Sequence, residues 1–194
     1  GSGSGSGSGS ASASASASPS ASAANLQWLT QTQEKNAQFP AEKEALAALT
    51  SSGFNVSRNE FQVLGLNLAD ALRLVGDGSF QVVTAQVGSV AKDDAFLEGI
   101  DLIGVATNMA DLKTAVGAYR EAFNARLAER FGVRAAAIWP FGPQVFLCNA
   151  PIKTLEDMKG LKVRSFTASM STLLEELGAT PVTLSFPEVY PALQ

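Results

Sequence analysis

An α/β fold with largely parallel sheets is what this sequence predicts, and three observations predict it. Short apolar runs alternate with segments of helical periodicity, glycine or proline stands at most of the boundaries, and the helical segments are long enough to carry the chain back across a sheet. In such sheets ligands bind beyond the carboxyl ends of the strands, so functional residues are sought there.

The elements follow in order from Pro40, which suits the first turn of a helix running through Ala45, Leu46 and Leu49 to Ser51-Ser52-Gly53, where glycine takes the left-handed cap. Phe54 and Val56 alternate with Asn55 and Ser57 as in a strand. A second helix carries Leu68, Ala71, Leu72 and Val75 and ends at the turn Gly76-Asp77-Gly78, and Phe80 to Ala85 reads as the next strand. The longest periodic segment puts Met109, Leu112, Val116, Tyr119, Phe123 and Leu127 on one face, which predicts an amphipathic helix of about five turns packed on the core. Gly132 ends it. Val133 to Trp139 and Gln144 to Cys148 read as apolar strands on either side of Pro140-Phe141-Gly142-Pro143.

Thr154 then caps a short turn with Glu156 and Asp157 in its first positions, closed by Gly160. Lys162 to Phe166 forms a strand, Ala168 to Leu177 a helix, and Pro181 to Leu184 a strand. Ser185-Phe186-Pro187-Glu188 forms a capping box for a last helix. That helix has about ten residues, short of the ~12 to 15 at which an isolated helix becomes marginal, so it is expected to need neighbours from a longer chain.

Composition narrows the function. Residues 1–24 contain only Gly, Ser, Ala and Pro19, a flexible leader that cannot bury apolar surface. The remaining stretch, about 170 residues, suffices for one good core or two small lobes. Ala21-Ser22-Ala23 faintly resembles a signal cleavage site, but the basic and apolar regions of a secretory signal are not seen before it. No run approaches the roughly 20 apolar residues that span a bilayer. With a net charge of -4 and no basic stripe, nucleic acid is not an expected partner.

Histidine is absent and Cys148 is the only cysteine, which argues against Cys/His metal clusters and a histidine-based triad. Cys148, inside an apolar run, is expected to be a buried structural thiol. Asp93-Asp94 with Glu98 lacks the oxygen-ligand spacing and glycine of a calcium loop, and is read as solvated surface. No catalytic residue, metal ligand or cofactor is expected.

Two stretches carry more specific information: Pro151-Ile-Lys-Thr-Leu-Glu-Asp-Met-Lys-Gly-Leu-Lys-Val-Arg164, and Leu177-Gly-Ala-Thr-Pro-Val-Thr-Leu-Ser-Phe-Pro-Glu-Val-Tyr-Pro-Ala-Leu-Gln194. In order and separation they resemble the solute-binding proteins of tripartite ATP-independent periplasmic (TRAP) transporters, the DctP family. Weaker similarity reaches back through Gly76-Asp77-Gly78-Ser79-Phe80 to about Trp28. The resemblance implies a two-lobed, periplasmic-binding-protein-like fold, with a first lobe over 25–142 and the start of a second over 143–194, left incomplete because family members continue past Gln194. It also implies a periplasmic monomer, not an enzyme, that binds a small organic acid and hands it to integral membrane subunits.

In the family, the arginine ending the motif that matches Gly160-Leu161-Lys162-Val163-Arg164 pairs with a ligand carboxylate, a role carried here to Arg164. A guanidinium suits it, since its planar fork grips a carboxylate through two parallel hydrogen bonds. Free N–H groups at the start of the following helix, from Thr167, are expected to add positive field. Relatives often carry a second basic residue or another polar contact where this chain has Gln144, which favours a ligand with one charged end. Gln86 and Gln31 are amide candidates from the first lobe, and Trp139 and Phe166 candidate aromatic walls; solvent exposure of the glutamines and core packing of the aromatics are the competing readings. An α/β transferase would need a nucleophile, base or phosphate cradle that the sequence does not offer convincingly. An effector-sensing domain of similar bilobed plan is the other alternative.

Overall fold

The computed structural model describes Gly1, residues 23–184 and residues 186–194. Residues 2–22 of the expected leader, and Ser185 of the expected capping box, lie outside the described residues.

Two parallel sheets organise the chain. The first has order β2-β1-β3, with β1 Ala24–Thr30, β2 Phe54–Glu60 and β3 Val82–Thr84, and pairs Trp28 with Arg58 on one side and with Val82 on the other. The central strand β1 has no counterpart in the sequence reading, and it starts at Ala24, inside the expected leader. It is exposed at Ala24 and Asn25 and buried at Trp28, Leu29 and Thr30, so its covered end shows no alternation of polar and apolar residues. Between these strands run α1 Phe39–Ser51, with Pro40 in its first turn, and α2 Leu68–Gly76. The Asn67 side chain accepts from the Asp70 N–H and the Asp70 carboxylate accepts from the Asn67 N–H, a reciprocal cap for α2.

Two 3₁₀ segments follow β3, Val87–Val90 and Ala95–Asp101, and lead into α3, Met109–Phe131. Gly132 closes α3 in the left-handed conformation at φ 69°, donating to Ala128 O. Most of the expected face of α3 packs on the main core: Phe123, Leu127 and Phe131 are buried with Leu29, Phe61, Leu68, Leu72, Leu97 and Ile100, and Val116 and Tyr119 pack against them half-buried, whereas Met109 at the helix start is exposed. Asp94, buried, ties α3 to the second 3₁₀ segment by accepting from Arg126 Nε at 2.6 Å and Arg130 Nε at 3.3 Å. The solvated reading of Asp94 and Glu98 is therefore wrong, since both carboxylates are buried and hydrogen-bonded.

Residues 133–149 form no strand. Their apolar content matches the expectation, but no described strand pairs with them, and Val145, Phe146 and Leu147 stand exposed, Leu147 at 91%. Cys148 is exposed too, against the expected burial. Beyond them, β4 Lys162–Ser165, α4 Ala168–Glu176 and β5 Thr180–Thr183 form a parallel βαβ unit in which Arg164 pairs with Val182. Its own core consists of Met158, Leu174 and Ala179. The last helix, α5, covers Phe186–Leu193.

Candidate functional site

All three strands of the first sheet point their carboxyl ends at one cleft, and β4 meets them from the other sheet. The cleft has a volume of about 240 Å³. Past β1 it is lined by Gln31, Thr32, Gln33 and Asn36, past β2 by Gln62, and from the end of β3 by Thr84, Ala85 and Gln86. Trp139, Phe141 and Gln144 enter from the irregular link, and Arg164 and Phe166 from the end of β4. The structure thus brings Arg164, Gln144, Phe166, Gln86, Trp139 and Gln31 together, residues up to 135 positions apart in the chain that the sequence reading named separately. It missed Thr32, Gln33, Asn36, Gln62, Thr84 and Phe141, because a polar residue just past a strand carries no periodic signal; the strand ends themselves were the available clue.

Several lining groups are held in fixed orientation. The Gln31 carbonyl oxygen accepts from the Gln86 backbone N–H at 3.0 Å and from Ser89 Oγ at 3.2 Å, which leaves the Gln31 amide nitrogen as the available donor. Asn36 Oδ1 is likewise taken by the Gln33 N–H at 2.6 Å. Thr84 Oγ1 accepts from Trp28 Nε1 at 2.9 Å.

Under the loop past β1 lies an ionic network. Glu42 on α1 accepts from Arg58 Nε at 2.7 Å and from Thr30 Oγ1 at 2.9 Å, Thr30 Oγ1 accepts from the Thr32 N–H at 2.9 Å, and Arg58 also donates to the Thr32 carbonyl. Both faces of Thr32's backbone are therefore anchored to the scaffold.

Arg164 is half-buried. Its Nε donates to Leu184 O at 3.0 Å, and its guanidinium carbon stands 5.1 Å from the centre of the Phe166 ring. The two terminal nitrogens have no protein partner among the described residues. Burial moves its proton affinity below the ordinary arginine value, yet a guanidinium keeps its charge at neutral pH. It is the only charged side chain lining the cleft among the described residues. One fixed planar cation, a shell of amides and hydroxyls, and three aromatic rings can hold one anionic group and hydrogen-bond or stack against a small polar body.

The expected field from α4 is not delivered as foreseen. The Thr167 hydroxyl caps α4 by accepting from the Met170 N–H at 3.3 Å, but the Ser169 N–H and hydroxyl both donate to Glu98 Oε1, at 3.1 and 2.6 Å. A carboxylate from the first lobe thus occupies the start of the helix and offsets its positive end.

Residues 77–194 match the family model of the bacterial extracellular solute-binding proteins, family 7, DctP. The chain belongs to this family. A DctP-family chain accounts for the layout, since solved structures of such receptors superpose on nearly all the described residues. An extracytoplasmic solute receptor of Bordetella pertussis that binds pyroglutamic acid matches with a TM-score of 0.76 at 22% identity, over 88% of this chain and 57% of its own. A TRAP periplasmic solute binding protein of Sulfitobacter with bound β-D-galacturonate matches at 0.71 and 18%, over 87% and 58%. At those identities the likeness is one of fold, the expected periplasmic-binding-protein plan of mostly parallel sheets.

Among curated relatives, the sialic acid-binding periplasmic protein of Vibrio cholerae is 39% identical over 69 residues, 35% of this chain and 22% of the relative. The C4-dicarboxylate-binding periplasmic protein of Rhodobacter capsulatus is 34% identical over 67 residues, 34% and 20%. The chain thus spans about a fifth of these relatives in alignment and little more than half of the solved structures.

Proposed function

We propose that this chain supplies the first lobe, residues 25–142, and the start of the second, residues 143–194, of a periplasmic solute-binding protein. It captures a small organic acid and delivers it to the membrane subunits of a TRAP transporter. The observation that carries the reading is the state of Arg164: among the described residues its terminal nitrogens are unpaired and open on a cleft lined by no other charged side chain. Those nitrogens would grip one carboxylate oxygen pair while Phe166 and the Leu184 carbonyl hold the fork in plane. Gln31 donates to the ligand from its fixed amide, Gln86 and Gln144 add polar contacts, and Trp139 covers the apolar side of the body.

On this reading the chain binds its ligand without covalent chemistry, which is supported by a lining set that, among the described residues, pairs no nucleophile with a neighbouring base; its role is recognition coupled to closure of two lobes on a shared ligand. With Gln144 where relatives often carry a second basic residue, the single positive charge suits a ligand with one carboxylate rather than a dicarboxylate.

The reading is tested by titrating the whole protein calorimetrically with a panel of mono- and dicarboxylic acids. At least one monocarboxylate should bind, and Arg164→Lys should weaken it at least tenfold, because a charged bidentate contact contributes on the order of 1.5 to 3 kcal/mol. Unchanged affinity in Arg164→Lys would remove Arg164 from the site, and a panel without a binder would overturn capture itself.

A further inference from the structure

We propose that Gly88 and Glu98 form a seat on the first lobe that receives the start of α4 and holds the cleft closed, so that two residues outside the cleft lining set the ligand's affinity. Glu98 is only 3% exposed, and its hydrogen-bond donors among the described residues, the Ser169 N–H and hydroxyl, lie 71 residues away on the βαβ unit that carries Arg164. Parting the lobes would exchange these bonds for water, whereas in the seated arrangement the carboxylate has a helix start and a hydroxyl as donors.

Gly88 makes the steric half of the seat. A methyl group placed there would fall 2.2 Å from the γ-methyl and 3.3 Å from the Cβ of Thr167, and 3.5 Å from the Phe166 ring. Thr167 cannot swing that methyl aside freely, because the same side chain caps α4 through its hydroxyl. Gly88 does not need positive φ, so alanine fits its backbone within the first lobe. The clash arises only when Thr167 is seated. Alanine at 88 should therefore act on closure and leave the folding of the first lobe intact.

The contact lies between two parts of the cleft lining: Gln86 stands two residues before Gly88, and Phe166 immediately precedes Thr167. Seating Thr167 and Ser169 thus fixes the distance between the first-lobe amides and the Arg164–Phe166 pair. A ligand bridging them binds the closed population, and anything that lowers that population raises the apparent dissociation constant in proportion.

The affinity arm of this inference rests on the capture reading; the closure arm does not. Nitroxide labels at Lys43→Cys and Glu176→Cys, both exposed, in a Cys148→Ser background of the whole protein, report the distance between lobes by pulsed electron resonance without any ligand. Gly88→Ala and Glu98→Ala should each move the distribution to longer distances. In the unlabelled protein both should weaken binding of the monocarboxylate found by calorimetry at least tenfold, chiefly by faster release, with Glu98→Gln intermediate because its amide oxygen still accepts. Should Glu98→Ala fail to fold, Gly88→Ala and Glu98→Gln carry the test. Distances unchanged from wild type in both overturn the seat, whether or not any acid binds; absence of any bound acid with shifted distances overturns capture and leaves the seat standing.

Discussion

In the first lobe, three parallel strands present cleft residues over a core of twelve buried apolar residues, and the loop past β1 is further anchored by the Arg58–Glu42 pair. In the βαβ unit, the end of β4 presents Arg164 and Phe166 over a smaller core, in which the described residues bury Met158, Leu174 and Ala179. The amides therefore sit on a rigid platform and the cation on a lightly supported one. This division would suit the closing receptor proposed above: the half proposed to recognise shape is preorganised, and the half proposed to bring the charge would gain its final support from contact with the other lobe.

The difference should show first in the cores. Phe123→Ala removes a ring from the larger core and is expected to destabilise by about 3 to 5 kcal/mol, read from urea unfolding followed by tryptophan fluorescence. Leu174→Ala should cost less, about 2 to 3 kcal/mol, because a three-residue cluster with half-buried Ile152, Val163 and Leu177 around it can collapse onto the space. An equal or larger loss at Leu174 would break the comparison.

A smaller effect should sharpen it. Glu42→Gln keeps the shape of the buried network but discharges it, so that among the described residues the 3.5 Å contact to Glu60 is the ion pair left to Arg58. We expect a loss of about 1 to 2 kcal/mol. Acid affinity should fall with it, since Thr32 and its neighbours lose their anchor. Intact affinity with lowered stability would show that the loop past β1 is held by β1 and α1 without the ion pair.

Helices and glycine-closed turns were legible in the sequence because their signals are local: Pro40 in a first turn, Gly76-Asp77-Gly78 after α2, and a 3.6-residue stripe in α3. Strands were legible only where alternation survives. β1 escaped because its covered end is buried on successive residues, and Val133 to Cys148 misled because apolar composition favours a strand only when a partner strand is there to take its backbone hydrogen bonds. The site followed the same division. Arg164 stood out through a motif and through the chemistry of a guanidinium, and the end of a strand pointed to Gln86, whereas Gln31 was named only as an amide near Trp28, without the strand that places it. Glu98 was misread, since a carboxylate beside two aspartates looks solvated until the helix start that it caps, 71 residues on, is placed against it.

The smallest expected effect concerns the turn that leads into β4. Asp157 Oδ2 accepts from the Lys153 N–H at 2.9 Å and the Thr154 N–H at 2.8 Å, and these bonds hold its carboxyl below the ordinary value of 3.8. A depressed folded value means that the unfolded chain takes up the proton more readily. The stabilisation is then complete above the unfolded value and is lost as pH falls through the folded one. Asp157→Asn removes the titrating group, so the melting temperature of the variant should fall less steeply than that of wild type below about pH 4. Its difference from wild type at pH 7 should be small, because the group is exposed. Parallel acid limbs in the two proteins would show that the turn is held by Met158 in the small core and not by its cap, and would make the βαβ unit less dependent on local polar contacts than its thin core suggests.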